Sequence, residues 1–124
     1  MRIAIVGSRN SRDLTVDKII EQIPSDCTGI ISGGAQGVDT LAAAAAKRLN
    51  LPLVEYLPDY DTYGNLAPLR RNRKIVENSD MVLAFWDYKS PGTRNALLEA
   101  VKAGKKIKVI IIGKKAFCKD KLFF

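Results

Sequence analysis

The chain contains no histidine. Imidazole chemistry is therefore excluded: the usual general base near neutral pH is missing, and so is the commonest zinc ligand. Cysteine is almost as scarce. Cys27 and Cys118 have no metal-ligand spacing, and two lone cysteines read as reduced thiols of a cytoplasmic protein. No metal and no cofactor are expected from this composition. No apolar run approaches the roughly 20 residues of a membrane span, and Met1 to Val6 is too short and strand-like for a secretory signal. Repeats, linkers and low-complexity stretches are absent as well.

What remains is a chain of 124 residues with 47% hydrophobic side chains, which is the balance of one globular core, so residues 1–124 are read as a single domain. The formal net charge is +7, which suits a phosphate-bearing partner, small ligand or nucleic acid alike. Part of that excess is Lys102, Lys105, Lys106 and Lys108, followed by Lys114, Lys115, Lys119 and Lys121. These are helix-end and tail charges, which equally well serve as solvated surface.

Strand and helix patterns alternate. Short apolar runs at 3–6, 29–32, 53–57, 81–86 and 107–112 read as strands, several closed by glycine or proline. Helical periodicity covers 14–23, 40–49, 66–78 and 93–103, with Pro68 in a first turn and Gly104 as a stop. The alanine run 42–46 lets its helix lie close to a neighbour, although helix propensity alone also accounts for it. This alternation predicts an α/β fold: one Rossmann-like doubly wound domain, a five-stranded parallel sheet in the order 3-2-1-4-5, and helices on both faces. The segment 59–65, with Tyr60, Tyr63 and Gly64, is expected to be irregular, and is either a functional loop or only a connector. The terminal Leu122, Phe123 and Phe124 are expected to dock on the core or on a second subunit.

The informative motifs fall just after strands, at the sheet edge where open parallel sheets bind ligands. Gly7, Ser8 and Arg9 follow the first strand and offer a turn, a hydroxyl and a planar fork for phosphate. Ser32, Gly33, Gly34, Gly37 and Asp39 lie between the second strand and its helix. Backbone there can approach a ligand closely, and the helix start favours an anion. Asp39 or Thr40 is the candidate cap of that helix. The glycine spacing matches neither a dinucleotide fingerprint nor a nucleoside-triphosphate loop. On the third long helix Asn72 falls on the inward face with Leu69, Ile75 and Val76, flanked by Arg71 and Arg73. Ser90, Gly92 and Thr93 open the fourth helix, so that two helix starts are expected to hold one ligand from two sides. Trp86 and Tyr88 beside that loop are either base-stacking groups or core packing.

Taken together, Ser32 to Asp39, Arg71 to Lys74, Ser79-Asp80 before a strand, and Gly92-Thr93 resemble the SLOG superfamily. It groups the Rossmann domain of the DNA-processing protein A (DprA) family with the LOG, "lysine decarboxylase-like", proteins. The similarity is to small stand-alone DprA-like members and spans nearly the whole chain. It implies a phosphate-lined pocket at the sheet edge and a homodimer. Three functions follow from the resemblance: a sensor or binding module for a nucleotide or ADP-ribose-like ligand, a LOG-like N-glycosidase acting on nucleoside 5′-monophosphates, and DprA-like single-stranded DNA binding. The first is the leading reading; a scaffold that kept the fold and lost its ligand is the bland alternative. LOG proteins carry a glutamate three residues after the threonine of their glycine loop, and here that position is Ala96. The next acid, Glu99, is expected with Asn95 on the solvent side of a helix whose buried face is Leu97, Ala100, Val101 and Gly104.

Overall fold

The computed structural model describes residues 1–11 and 13–113. Cys118, the lysines from 114 onward and the terminal Leu-Phe-Phe lie outside them. The elements are β1 (Arg2–Gly7), α1 (Val16–Gln22), β2 (Gly29–Ser32), α2 (Val38–Arg48), β3 (Leu53–Glu55), α3 (Tyr60–Tyr63), a 3-10 turn (Gly64–Leu66), α4 (Ala67–Glu77), β4 (Met81–Trp86), α5 (Pro91–Lys102) and β5 (Lys106–Ile111). All strand pairs are parallel and the order is β3-β2-β1-β4-β5. This is the doubly wound sheet that the alternating pattern predicts. Among the described residues, no helix is long and apolar enough to cross a membrane.

The central strands are apolar on both faces because helices cover both. Along β1, Ile3 and Ile5 face α1 and α2, while Ala4 and Val6 face α4 and α5. β4 alternates in the same way, with Met81, Leu83 and Phe85 on the first side and Val82 and Ala84 on the second. This is the two-residue period of a strand buried between two layers. In α2, Ala42, Ala45 and Ala46 are buried against the first face, so the small side chains do bring helix and sheet close. That helix ends in a Schellman motif: Asn50 takes φ 58°, its amide donates to Lys47 and the Leu51 amide donates to Ala46.

Four local expectations are corrected. β3 ends at Glu55 rather than Leu57. The Tyr56 amide still donates to the Ser32 carbonyl at 2.9 Å, but the neighbouring strand turns away at Gly33 and leaves Leu57 nothing to pair with. The segment 59–65 is ordered into α3 and the 3-10 turn, because the Asp59 carboxylate accepts the Thr62 amide at 3.1 Å. On α5 the buried face is Thr93, Ala96 and Ala100, whereas Val101 is 65% exposed. Asn95 and Glu99 turn toward α4 instead of solvent: Asn95 accepts from Asn72, and Glu99 pairs with Arg73. Leu69 on α4 is likewise exposed.

Candidate functional site

A cleft of about 630 Å³ opens at the carboxyl edge of the sheet, a size typical of small-molecule sites. Its floor includes Val6 and Gly7, and its walls are the loops after β1, β2, β3 and β4 together with one side of α4. Of the residues singled out in the sequence, Gly7, Arg9, Gly33, Gly34 and Asp39 line it from the β1 and β2 side. Arg71, Asn72, Ser90, Gly92 and Thr93 line it from the α4 and α5 side.

Arg71 and Asn72 tie these walls together. Arg71 Nη1 donates to the Gly33 carbonyl at 2.9 Å, and its Nε donates to Asn72 Oδ1 at 3.0 Å. Asn72 Nδ2 then donates to the Gly92 carbonyl at 3.1 Å and to Asn95 Oδ1 at 2.9 Å. The buried amide of Asn72 thus satisfies its donors and acceptor while joining the glycine loop to the start of α5. The guanidinium packs so close to the backbone that a methyl group on Gly33 would lie 2.5 Å from Nη1. Gly33 is therefore a close-approach glycine. Gly34 is a conformational one, at φ +69°.

The start of α5 borders the cleft. Pro91 occupies its first turn, and the N-cap residue Ser90 makes no side-chain capping bond. The Gly92 and Thr93 amides belong to the orphan donors of a helix start and lie where the dipole favours an anion. The Asp87 carboxylate sets this turn by accepting the Lys89 and Ser90 amides at 2.9 and 2.8 Å. Burial pushes its pKa up, yet these backbone bonds outweigh that and hold it below the usual carboxylate range. Trp86 and Tyr88 brace the same turn. Trp86 Nε1 donates to the Ser90 carbonyl, and the two rings sit 5.0 Å apart.

The start of α2 differs from the expectation of two helix starts gripping one ligand. The Val38 amide donates to the Ser8 carbonyl, and the Thr40 and Leu41 amides donate to Gly37. Neither Asp39 nor Thr40 caps the helix; Gly37 holds the N-cap position. Asp39 Oδ2 instead accepts the Ala35 amide at 3.0 Å and fixes the glycine loop. Burial raises the Asp39 pKa, opposed by the Ala35 amide, by the positive charge of Arg71 and by the Ser32 hydroxyl, while Glu55 adds to the rise. Desolvation in turn lowers the pKa of Arg71, which remains a cation at any working pH.

Four of the residues singled out stand outside the cleft. Ser8 is buried, and its Oγ accepts the Asp87 amide at 3.2 Å. Ser32 is buried, and its Oγ accepts the Gly34 amide. Gly37 is where the β2 loop crosses the backbone of Arg9. Arg73 faces Glu99 at 3.6 Å. In exchange the cleft takes up Asn10, Leu57, Pro58 and Tyr60, which the sequence motifs omitted. Tyr60 belongs to the loop 59–65, one of whose two readings is functional; Leu57 and Pro58 follow the end of β3, where the strand-end rule points as well. Tyr60, 59% exposed, is the aromatic residue that lines the cleft; Trp86 does not line it. Among the described residues no group of three or more His, Cys, Asp or Glu side chains is placed to hold a metal ion.

Residues 1–63 match the model of the YAcAr family, described as the YspA, cpYpsA-related SLOG family. That stretch holds the loops after β1 and β2 and reaches Tyr60. The chain is 33% identical to the Gene 61 protein of Mycobacterium phage D29, over 92% of this chain and 98% of that protein. Among solved structures, DNA processing protein A (DprA) from Streptococcus pneumoniae superposes with a TM-score of 0.72 at 20% identity over 87% of this chain. The chain spans about half that protein's length, 49% of it.

Proposed function

From the premise that the chain belongs to the YspA, cpYpsA-related SLOG family, we propose that it binds a nucleotide or a nucleotide-derived ligand of the ADP-ribose kind in the sheet-edge cleft, as a sensor or binding module. One observation carries this reading: the uncapped start of α5 and the guanidinium of Arg71 face the same cleft, linked through Asn72. Oriented amides at a helix start and a planar cationic fork recognise phosphate oxygens. Arg9 adds a second cation on the β1 side, and Leu57, Pro58 and Tyr60 supply an apolar wall for a base.

Binding is favoured over N-glycosidase action because Ala96, at the LOG glutamate position, is buried, and Glu99 lies outside the cleft, held by Arg73. Single-stranded DNA ranks below a small ligand because the candidate phosphate-binding groups converge on one cleft instead of forming a track. A homodimer working in the cytoplasm belongs to the same reading and is checked by sedimentation equilibrium. The functional test is recovery of the protein without added ligand, denaturation, and identification of the released small molecules by mass spectrometry. A nucleotide in stoichiometric amount supports the proposal. Free base released from added nucleoside 5′-monophosphates would replace it with the hydrolytic reading.

A further inference from the structure

Asp39 stands apart from the rest of the cleft. It is the acidic side chain among the residues lining it, and it is only 8% exposed. A buried carboxylate facing a site for a phosphate-bearing ligand is unfavourable twice over, through desolvation and through repulsion of the anion. Its structural duty explains only part of this. An ionised carboxylate offers about four acceptor positions; the Ala35 amide takes one, and the Ser32 hydroxyl approaches another. Arg71 supplies a nearby positive charge, and the side chain also lines the cleft, within reach of a ligand. A hydrogen-bond donor of the ligand fits there, and a phosphate does not.

Strand order says which part of the ligand that is. Because the sheet runs β3-β2-β1-β4-β5, the loops at its carboxyl edge line up in the same sequence. The β3 loop gives the apolar Leu57, Pro58 and Tyr60; the β2 loop gives Gly33, with Asp39 in the first turn of the α2 that follows it; the β1 and β4 loops give Arg9 and the open start of α5. From β3 to β4 is three strand spacings, about 14 Å, room for base, sugar and phosphate in extended order. With the base on the apolar wall and the phosphate at α5, the sugar lies in the middle, beside the β2 loop.

We propose that Asp39 accepts hydrogen bonds from the ribose cis-diol of the ligand, and so makes the cleft selective for ribonucleotides over their deoxy counterparts. This inference rests on the nucleotide reading of the cleft. Asp39 is a specificity residue on the ligand, distinct from its tie to Ala35, and the two duties separate in Asp39→Asn. An asparagine keeps a carbonyl oxygen for the Ala35 amide but loses the charge that strengthens bonds to the diol.

The experiment is calorimetric titration of the wild type and Asp39→Asn with matched nucleoside 5′-monophosphates of each common base, as ribo and 2′,3′-dideoxy forms, together with ADP-ribose. The wild type is expected to bind the preferred ribo form at least about tenfold more tightly than its dideoxy partner, the range of a charge-assisted hydrogen bond. In Asp39→Asn that ratio falls below about threefold, with dideoxy affinity nearly unchanged. A purely structural Asp39 would weaken both forms alike and leave the ratio intact, which overturns the proposal. Equal binding of both sugars by the wild type overturns it too, while leaving the nucleotide reading standing. Failure of every ribo and dideoxy ligand to bind the wild type overturns both. Should Asp39→Asn not fold, 2′-deoxy and 3′-deoxy forms tested on the wild type decide the question alone: undiminished affinity for both contradicts the role given to Asp39.

Discussion

Arg71 reaches across 38 positions of sequence to donate a 2.9 Å hydrogen bond to the carbonyl of Gly33. The bond joins the outer helix α4 to the glycine loop after β2. Both partners are constrained: the guanidinium occupies the space that a side chain at position 33 would need.

Gly33→Ala therefore pushes the guanidinium out of place without demanding a forbidden backbone angle. Ligand affinity is expected to fall by tenfold or more, about 1.4 kcal/mol, while the unfolding free energy in urea changes by about 1 kcal/mol or less, as for a substitution whose clash falls on a movable side chain. Titration with the ligand recovered from the protein, alongside urea denaturation, separates the two quantities.

Asn72→Ala is expected to cost stability as well as binding. It leaves the Gly92 carbonyl, the Asn95 side chain and Arg71 Nε without their partner. The loss of a buried hydrogen-bonding hub costs about 1–3 kcal/mol, read as a lower urea midpoint with an unchanged slope.

Much of this was legible from the residues. β1 and β4 announce two buried faces by their continuous apolar runs, and the glycine and helix-start motifs after β1, β2 and β4 point to one edge. The helix faces were less legible. On α5 the large apolar Val101 suggests the buried side, yet the sheet is met by Thr93, Ala96 and Ala100, since a helix packed this near the strands admits only small groups. Asn95 and Glu99 turn toward α4 because Asn72 and Arg73 stand opposite them, and pairing across two helices leaves no mark in the periodicity of either. The choice of Tyr60 over Trp86 as the ring in the cleft depends on how the chain turns after β3, where Asp59 winds α3.

The unliganded protein should carry a pH signature at Asp39. Burial raises its pKa in the folded state, so the folded state holds its proton more tightly than the unfolded chain does. Its contribution to stability is present below the unfolded value, about 3.9, and is lost as pH rises through the raised folded value. The groups acting on it are Arg71 on α4, Ser32 at the end of β2, Ala35 in the loop after it and Glu55 at the end of β3. Asp39→Asn is expected to unfold at a higher temperature than the wild type at pH 7, the gap closing as the pH approaches 3.5. Thermal melts across that range check the sign.

Single-stranded nucleic acid should bind weakly and with steep salt dependence. Two basic side chains of α4 outside the cleft are engaged on aromatic rings: Arg70 lies 5.0 Å from the Tyr63 ring centre and Lys74 lies 5.6 Å from that of Tyr56. Fluorescence anisotropy with a labelled oligonucleotide is expected to show affinity falling by about tenfold or more between 50 and 200 mM salt, as for a few phosphate contacts. Affinity that survives physiological salt would favour the DNA-binding reading.

The central claim is that a phosphate-bearing ligand sits between the glycine loop and the start of α5. Backbone amide NMR during titration with nucleoside mono- and diphosphates and ADP-ribose tests this most directly. The account predicts saturable shifts concentrated at the amides of Gly33, Gly34, Gly92 and Thr93, with the Arg71 guanidinium signal moving in step. Saturable shifts clustered on the α1 and α2 face, with those amides and Arg71 unmoved, would contradict it.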